Sequence, residues 1–259
     1  MPSVIERSDV IVYNLRLFHS VYGVDDQKMK TSRLIAALLL LTVLSSCGLD
    51  ETGGIDIFSL NFNFAAGSDG WTADFTDYPV NQNPLADSIY QWQAMPITAQ
   101  ESTNGRGAYM ISCNNASGDV FMFLKKKIEG LKANTNYNVV YEIELASNAV
   151  AGQGIILKGG ASELEPRKVI ENSYYVLNID KGTDTTSGEN AIAFGDIGAS
   201  NSETDYNSTV KGNVNSSVPF LTRTNSKGEL WIILGTDSLF EGTTTVYFTN
   251  INLVFSVSE

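Results

Sequence analysis

Histidine is almost absent from the chain, which contains only His19. This residue lies within residues 1–46, a segment that has the features of a removable leader. Ser–His catalysis, Cys–His catalysis and histidine-ligated metal sites all need an imidazole. Enzymes and metal centres of these kinds are therefore excluded for the mature protein.

Basic residues are also few, with 17 Lys and Arg against 29 Asp and Glu and a net charge of −12. The basic run Lys125–Lys127 is flanked by apolar residues, as on a strand with one solvated face. Because phosphate binding depends on clustered Lys and Arg, nucleic acid is not an expected partner.

The N-terminal leader consists of basic residues, the apolar run 34–44 and small residues ahead of Cys47. The run has 11 residues, whereas a membrane-spanning helix needs roughly 20. This order resembles a bacterial lipoprotein signal, which implies that Cys47 is lipidated and begins the mature chain. The alternative is an ordinary cleaved signal.

Cys113 is the other cysteine of the chain, and it ends the strand-like run Tyr109–Cys113. With Cys47 lipidated, no disulfide is expected within the chain. The sequence predicts that Cys113 is a buried, unreactive thiol.

The chain divides into three predicted segments. Residues 1–46 form the leader. If translation starts at Met29, residues 1–28 are not translated and the signal has an ordinary length. Residues 47–54 are rich in glycine and predict a flexible tether. An acidic pair in the tether resembles surface-export signals, which implies the cell envelope, on the surface or periplasmic side of the outer membrane. Residues 55–259 predict a single domain.

Strand patterns fill this domain, beginning with Phe58–Phe64, where apolar and polar residues alternate. The other runs of this kind are 89–94, 109–113, 120–128, 137–145, 155–158, 174–179, 229–234 and 244–255. About nine to twelve antiparallel strands predict an all-β, two-sheet antiparallel β-sandwich of the jelly-roll kind. Residues 195–219 form the longest stretch without a strand signal.

Both ends of the domain resemble carbohydrate-binding modules with a jelly-roll fold. Phe62-Asn63-Phe64 with Gly70-Trp71 is similar to their first strand, and 246–253 to their last. Segments 70–79, 121–125 and 235–242 look like those of a family of uncharacterised bacterial lipoproteins. The resemblance implies a binding module without catalytic activity, with glycan as the leading ligand class.

Tyr90 and Trp92 are the candidate glycan-binding residues. They lie two apart on a predicted strand and share one face, while Gln91 and Gln93 take the other. Carbohydrate-binding sites place sugar rings against aromatic side chains. The pair predicts either such a platform or a layer of the core.

Acidic residues near the two ends of the domain predict a metal site. Asp74 and Asp77 follow the first strand, and Asp237 and Glu241 precede the last. Calcium is the plausible ion, because it takes six to eight oxygen ligands. The loop 180–184 begins like a calcium loop but lacks its acid or amide at the third position and its glycine at the sixth.

Glu142 and Glu144 are the only candidates for catalysis, since glycosidic cleavage needs two carboxylates. They lie about 7 Å apart along one strand face, and the stretch is similar to the active strand of jelly-roll glucanases. The acid/base position is missing, because Ala146 and Ser147 follow. We therefore predict a non-enzyme.

Two functions remain as alternatives to glycan binding: an assembly lipoprotein that binds envelope proteins, and a glycan-cleaving jelly-roll enzyme. A large exposed apolar patch would favour a protein partner.

Overall fold

The computed structural model describes residues 57–81, 89–94, 107–216 and 219–258, and within 89–94 it describes the side chains of Gln91 and Gln93. The leader and the tether lie outside these ranges. Residues from Ile55 onward form one compact unit. Within the described ranges, no helix has the length and apolar character needed to cross a membrane.

The described residues form fifteen strands: Ile57–Asn63 (β1), Thr72–Thr76 (β2), Tyr78–Pro79 (β3), Ile89–Ala94 (β4), Gly107–Asn114 (β5), Phe121–Ile128 (β6), Asn136–Ser147 (β7), Ile155–Ser162 (β8), Lys168–Glu171 (β9), Tyr174–Leu177 (β10), Ala191–Asp196 (β11), Asn207–Gly212 (β12), Phe220–Arg223 (β13), Leu230–Ser238 (β14) and Thr243–Val257 (β15).

These strands form two large antiparallel sheets. The seven-stranded sheet has the order β12-β7-β15-β5-β4, with β1 also pairing with β15 and β13 with β7. The five-stranded sheet has the order β11-β8-β14-β6-β2. The predicted all-β, two-sheet antiparallel architecture is confirmed.

The core lies between the two sheets and follows from alternation along the strands. On β7, every second residue from Tyr137 to Leu145 is buried, and these side chains join Leu230, Ile232 and Leu234 of β14 in one apolar cluster. Cys113 of β5 is buried in the same cluster, as predicted.

Strand β15 is the longest element and organises the seven-stranded sheet. It pairs with β7 along one edge and with β5 and then β1 along the other. A bulge shifts its register between Phe248 and Asn250. A bulge adds one residue to one strand, so Phe248 and Ile251 both face the core. The outward-facing residues on either side of the bulge are Tyr247 and Asn250.

A segment comprising residues 163–190, here called the covering segment, packs on the outward side of the five-stranded sheet. Strands β9 and β10 within it form a small third sheet with β3. Ile179 of the segment is buried against Phe121, Phe123 and Ile233. Lys125 of β6 donates to Glu165 Oε1 at 2.6 Å and to the carbonyl of Pro166 at 2.8 Å.

Candidate functional site

The outward face of the seven-stranded sheet carries two rows of amide and carboxylate side chains, which we call the amide face. One row crosses β1, β15 and β7 at Asn61, Asn252 and Glu142, and the neighbouring row crosses at Asn63, Asn250 and Glu144. The two β1 residues are exposed and the other four are half-buried. The alternation that buries one side of these strands thus presents polar groups to solvent on the other.

Hydrogen bonds join the side chains of the amide face. Asn252 Nδ2 donates to Glu142 Oε1 at 3.0 Å. Asn61 Nδ2 donates to Asn250 Oδ1 at 2.9 Å and also to Asn252 Oδ1. These bonds orient four of the six side chains relative to one another: Asn61, Asn250, Asn252 and Glu142.

A tyrosine pair adjoins the amide face on β15. Tyr247 meets Tyr206 edge to face, with ring centroids 5.3 Å apart. The Tyr247 hydroxyl accepts from Gln93 Nε2 at 3.3 Å, and Gln91 Nε2 donates to Gln93 Oε1 at 3.0 Å. Burial, followed by the neighbouring Tyr206, raises the pKa of Tyr247. Tyr247 thus stays a neutral hydroxyl that can donate and accept.

The predicted aromatic platform lies on β4. The backbone of Tyr90 pairs with Ile111 and that of Trp92 with Tyr109. The side chains of Tyr90 and Trp92 fall outside the described part of the chain, so their role in glycan binding stays a prediction.

A buried charge cluster lies between the five-stranded sheet and the covering segment. Asp237 and Lys158 are both fully buried, and Asp237 Oδ2 accepts from Lys158 Nζ at 2.9 Å and from Lys181 Nζ at 2.6 Å. Lys181 Nζ also pairs with Asp77 Oδ2 at 3.0 Å and lies 5.0 Å from the centre of the Phe121 ring. The remaining oxygen, Asp237 Oδ1, is buried without a hydrogen-bond partner.

Three carboxylates converge at one side of this cluster. Asp119, Asp184 and Asp237 each bring an oxygen to within 4.8 Å of the other two. Burial, and then the charges of Asp77 and Asp237, raises the pKa of Asp119 to about 6. Burial also raises the pKa of Asp77. These acids repel one another, and together they could hold a metal ion.

Asn115 positions Asp119 within the cluster. Its Oδ1 accepts from the backbone amides of Asp119 at 2.9 Å and Val120 at 3.0 Å. Its Nδ2 donates to the carbonyls of Ser238 at 2.8 Å and Phe240 at 3.0 Å. The turn before β6 is thereby tied to the end of β14, which carries Asp237.

Asp180 closes the loop that carries Asp184. Its two carboxylate oxygens accept from the backbone amides of Gly182 and Glu189, both at 2.9 Å, and these bonds lower its pKa. The acid that begins the predicted calcium-like loop therefore shapes the loop, and Asp184 at its end joins the cluster.

The four acids predicted to bind calcium take different positions. Asp77 and Asp237 meet through Lys181, whereas Asp74 pairs with Lys168 at 2.9 Å and Glu241 is exposed beyond β14. Sequence reasoning missed Asp119, which the turn between β5 and β6 carries towards Asp237.

No protein-family model matches the chain, and no curated protein matches it significantly. Membership of a bacterial lipoprotein family therefore stays a prediction.

Solved carbohydrate-binding modules are similar to the chain at low identity. A module of the β-sandwich superfamily with promiscuous specificity is 12% identical, over 73% of this chain and 58% of that one, with a TM-score of 0.36. A mannan-recognising module is 12% identical, over 76% and 97%, at 0.38. The xylan-binding domain of a Paenibacillus barcinonensis protein is 12% identical, over 80% and 97%, at 0.35. These values assign no ligand to this chain.

Proposed function

We propose that the chain is a glycan-binding module without catalytic activity, anchored through lipid on Cys47 to the outer membrane of a bacterial cell envelope. The observation that carries glycan binding is the amide face. Its side chains are exposed or half-buried, and four of the six are hydrogen-bonded to one another.

The chemistry of the amide face suits sugar hydroxyl groups. Each carboxamide offers both a donor and an acceptor, and each carboxylate offers acceptors. A sugar hydroxyl likewise donates and accepts, so paired groups along two rows can bind neighbouring hydroxyls of one ring. The half-buried Tyr206 ring, which packs on the buried Tyr247 at the edge, offers aromatic surface for sugar C–H groups.

A binding role fits the two glutamates of the amide face better than catalysis does. Glu142 is held by Asn252, and the position after Glu144 on that side of β7 is Ala146, which is buried. A pair of carboxylates without a third acidic group on the strand can accept hydroxyl hydrogen bonds. Binding of an envelope protein is the competing proposal, and it predicts that none of the proteins in the following test retains polysaccharide.

Removal of amide groups from the face tests the glycan proposal. We expect the double variant Asn61→Ala/Asn252→Ala to retain soluble polysaccharides at least tenfold more weakly in affinity electrophoresis, with the melting temperature little changed. Asn201→Ala, at an exposed amide in a loop, is the matched control and should bind as the wild type does. Equal retention by all three proteins, or release of reducing sugar by the wild type, would contradict the proposal.

The proposal includes a calcium ion held by acids of the buried charge cluster. Carboxylate oxygens from loops and a strand end are the donors that calcium prefers, and the chain has no histidine after Cys47. These acids gather around Asp237 of the five-stranded sheet, whereas the amide face belongs to the seven-stranded sheet, so we assign the ion to stability and not to glycan contact.

A further inference from the structure

A cavity of about 400 Å³ opens where the covering segment leaves and rejoins the five-stranded sheet, and we call it the edge pocket. One wall comes from the two ends of the covering segment, at Glu163–Leu164 and Glu189–Asn190. The other wall comes from β13 and the start of β7, at Leu221–Arg223 and Asn136, and Ser162 at the end of β8 completes the lining. The volume lies within the range of small-molecule sites, roughly 300 to 1,000 Å³.

We propose that the edge pocket binds one neutral sugar residue of a glycan, in addition to the residues that the amide face binds. This inference rests on the glycan-binding part of the proposed function, and it adds a second contact with the ligand. The residues that line the edge pocket are separate from those of the amide face.

The first argument is the mixture of polar groups around the pocket. Glu163 and Glu189 are exposed and offer carboxylate acceptors, and the exposed Arg223 offers guanidinium donors. Arg223 Nη1 donates to Asn136 Oδ1 at 3.3 Å, so these two side chains orient one another. A sugar hydroxyl can use a donor and an acceptor at once, whereas an anionic ligand would meet two carboxylates.

The second argument is a pair of buried hydroxyl groups in the lining, since Ser162 and Thr222 are 5% and 9% exposed. Ser162 Oγ accepts from the backbone amide of Leu164 at 3.0 Å, and a serine hydroxyl that accepts one hydrogen bond still has its own hydrogen to donate. Thr222 Oγ1 lies 3.5 Å from the carbonyl oxygen of Ala161, which is long for a hydrogen bond. A ligand hydroxyl in the pocket would give these groups a further partner.

The third argument is the apolar surface at the mouth of the pocket. Leu164 and Leu221 are 62% and 54% exposed. One belongs to the covering segment and the other to β13, so the two side chains stand on different walls of the same cavity. Sugar rings present C–H groups as well as hydroxyls, and small-molecule sites combine apolar surface with a few polar groups in this way.

The wall that carries Glu189 is fixed to the sheet by backbone contacts. A Cβ atom at Gly160 of β8 would lie 1.9 Å from the carbonyl oxygen of Asn190, so only glycine lets the chain pass this close to the strand. The backbone amide of Asn190 donates to the carbonyl of Asp180 at 2.8 Å, and Asn190 Oδ1 accepts from the amide of Asp180 at 3.1 Å. These contacts hold the wall in place beside β8.

The edge pocket adjoins the outward face of the sheet that carries the amide face. In the register of the sheet, Leu221 pairs with Asn138 and Arg223 with Asn136, and both asparagines lie at outward positions of β7, as Glu142 does. Asn136 and Glu142 are about 20 Å apart along the strand. A glycan chain that lies along β7 can therefore reach both sites, and two linked contacts on one chain hold it more tightly than either alone.

The test uses the full lipidated chain in a detergent without sugar groups, with the methyl glycosides of glucose, galactose, mannose and xylose as probes. Saturation-transfer NMR measures binding, and we expect the wild type to bind at least one probe. Arg223→Ala/Glu163→Ala should bind it at least about tenfold more weakly, because charge-assisted hydrogen bonds are lost. The matched control, Arg167→Ala/Glu171→Ala, lies at exposed residues outside the pocket and should bind as the wild type does.

Two results would overturn the inference: no saturation transfer to any of the glycosides, or equal binding by the wild type and the pocket variant. Polysaccharide retention, measured on the same proteins, separates this inference from the amide face. Asn61→Ala/Asn252→Ala should bind the glycoside as the wild type does while it retains polysaccharide more weakly. Glycoside binding can therefore be judged whatever the outcome at the amide face.

Discussion

The outward faces of the two sheets arise from the same alternation of residues along the strands, but one face is open to solvent and the other is covered. On the seven-stranded sheet the outward positions of β7 and β15 hold accessible amides and carboxylates, as at Glu142 and Asn252. On the five-stranded sheet the outward positions hold Phe121, Lys158 and Asp237, all fully buried under the covering segment. A charged residue at an outward strand position is therefore accessible to solvent on one face and buried under a packed segment on the other.

The largest difference between the faces should appear when one acid is removed from each. Asp237→Ala leaves Lys158 and part of Lys181 buried without a counter-ion, and we expect a loss of about 3 to 5 kcal/mol in the free energy of unfolding. Glu142→Ala on the amide face should cost less than about 0.5 kcal/mol. Urea denaturation of both variants measures the contrast.

A double variant sharpens this comparison. In Asp237→Ala/Lys158→Met the buried ammonium is removed with its partner, and Lys181 keeps Asp77. Stability should recover in part, since apolar replacements of buried ion pairs are often tolerated. Equal losses in the single Asp237 and Glu142 variants would show that the buried cluster contributes no more than a surface group.

An intermediate effect is expected from pH. The folded protein holds the pKa of Asp119 at about 6, above the ordinary 3.8, so the folded state binds this proton more tightly than the unfolded chain. The contribution of Asp119 to stability is therefore greatest below about pH 4 and is lost as the pH rises through 6.

Asp119→Asn should remove this dependence and stabilise the protein in chelator at pH 7 by on the order of 1 kcal/mol, after allowance for solvent screening. Melting temperatures of the variant and the wild type from pH 4 to 8 provide the measurement. Curves that stay parallel over this range would argue against charge repulsion at Asp119.

A similarly small effect on stability is expected at the centre of the amide face. Asn250→Ala removes an acceptor of Asn61 from a half-buried position, and we expect a change of less than about 0.5 kcal/mol together with weaker glycan retention. A large loss of stability without a change in glycan retention would show that the amide face stabilises the sheet and does not bind glycan.

The sheets could be predicted from local pattern, whereas the clusters could not. Phe58–Phe64 alternates as β1 requires, and β1 lies beside β15. Strand β12 was missed within residues 195–219, because its residues are mostly small and polar and Val210, its most apolar residue, is exposed. That strand is specified by backbone pairing with the edge of β7, which leaves no apolar signature.

The buried charge cluster joins residues that are far apart in the sequence, and no local pattern predicts that they meet. Asp119 stands in a turn, Asp184 in a loop and Asp237 at a strand end, and each alone has the setting of a solvated acid. Their convergence requires the covering segment to fold back on β6, β8 and β14. Lys158 is a second example, because the alternation along β8 places it on an outward face, where the covering segment buries it.

The position of β15 also bears on when the domain can fold. It is the last of the described strands and the one that β7, β1 and β5 all need as a neighbour. Contacts such as Asn61 with Asn250 join residues 189 positions apart, and distant contacts of this kind slow folding. The seven-stranded sheet therefore cannot close until β15 has been synthesised, so β1, β5 and β7 lack their shared neighbour until a strand made after all three is complete.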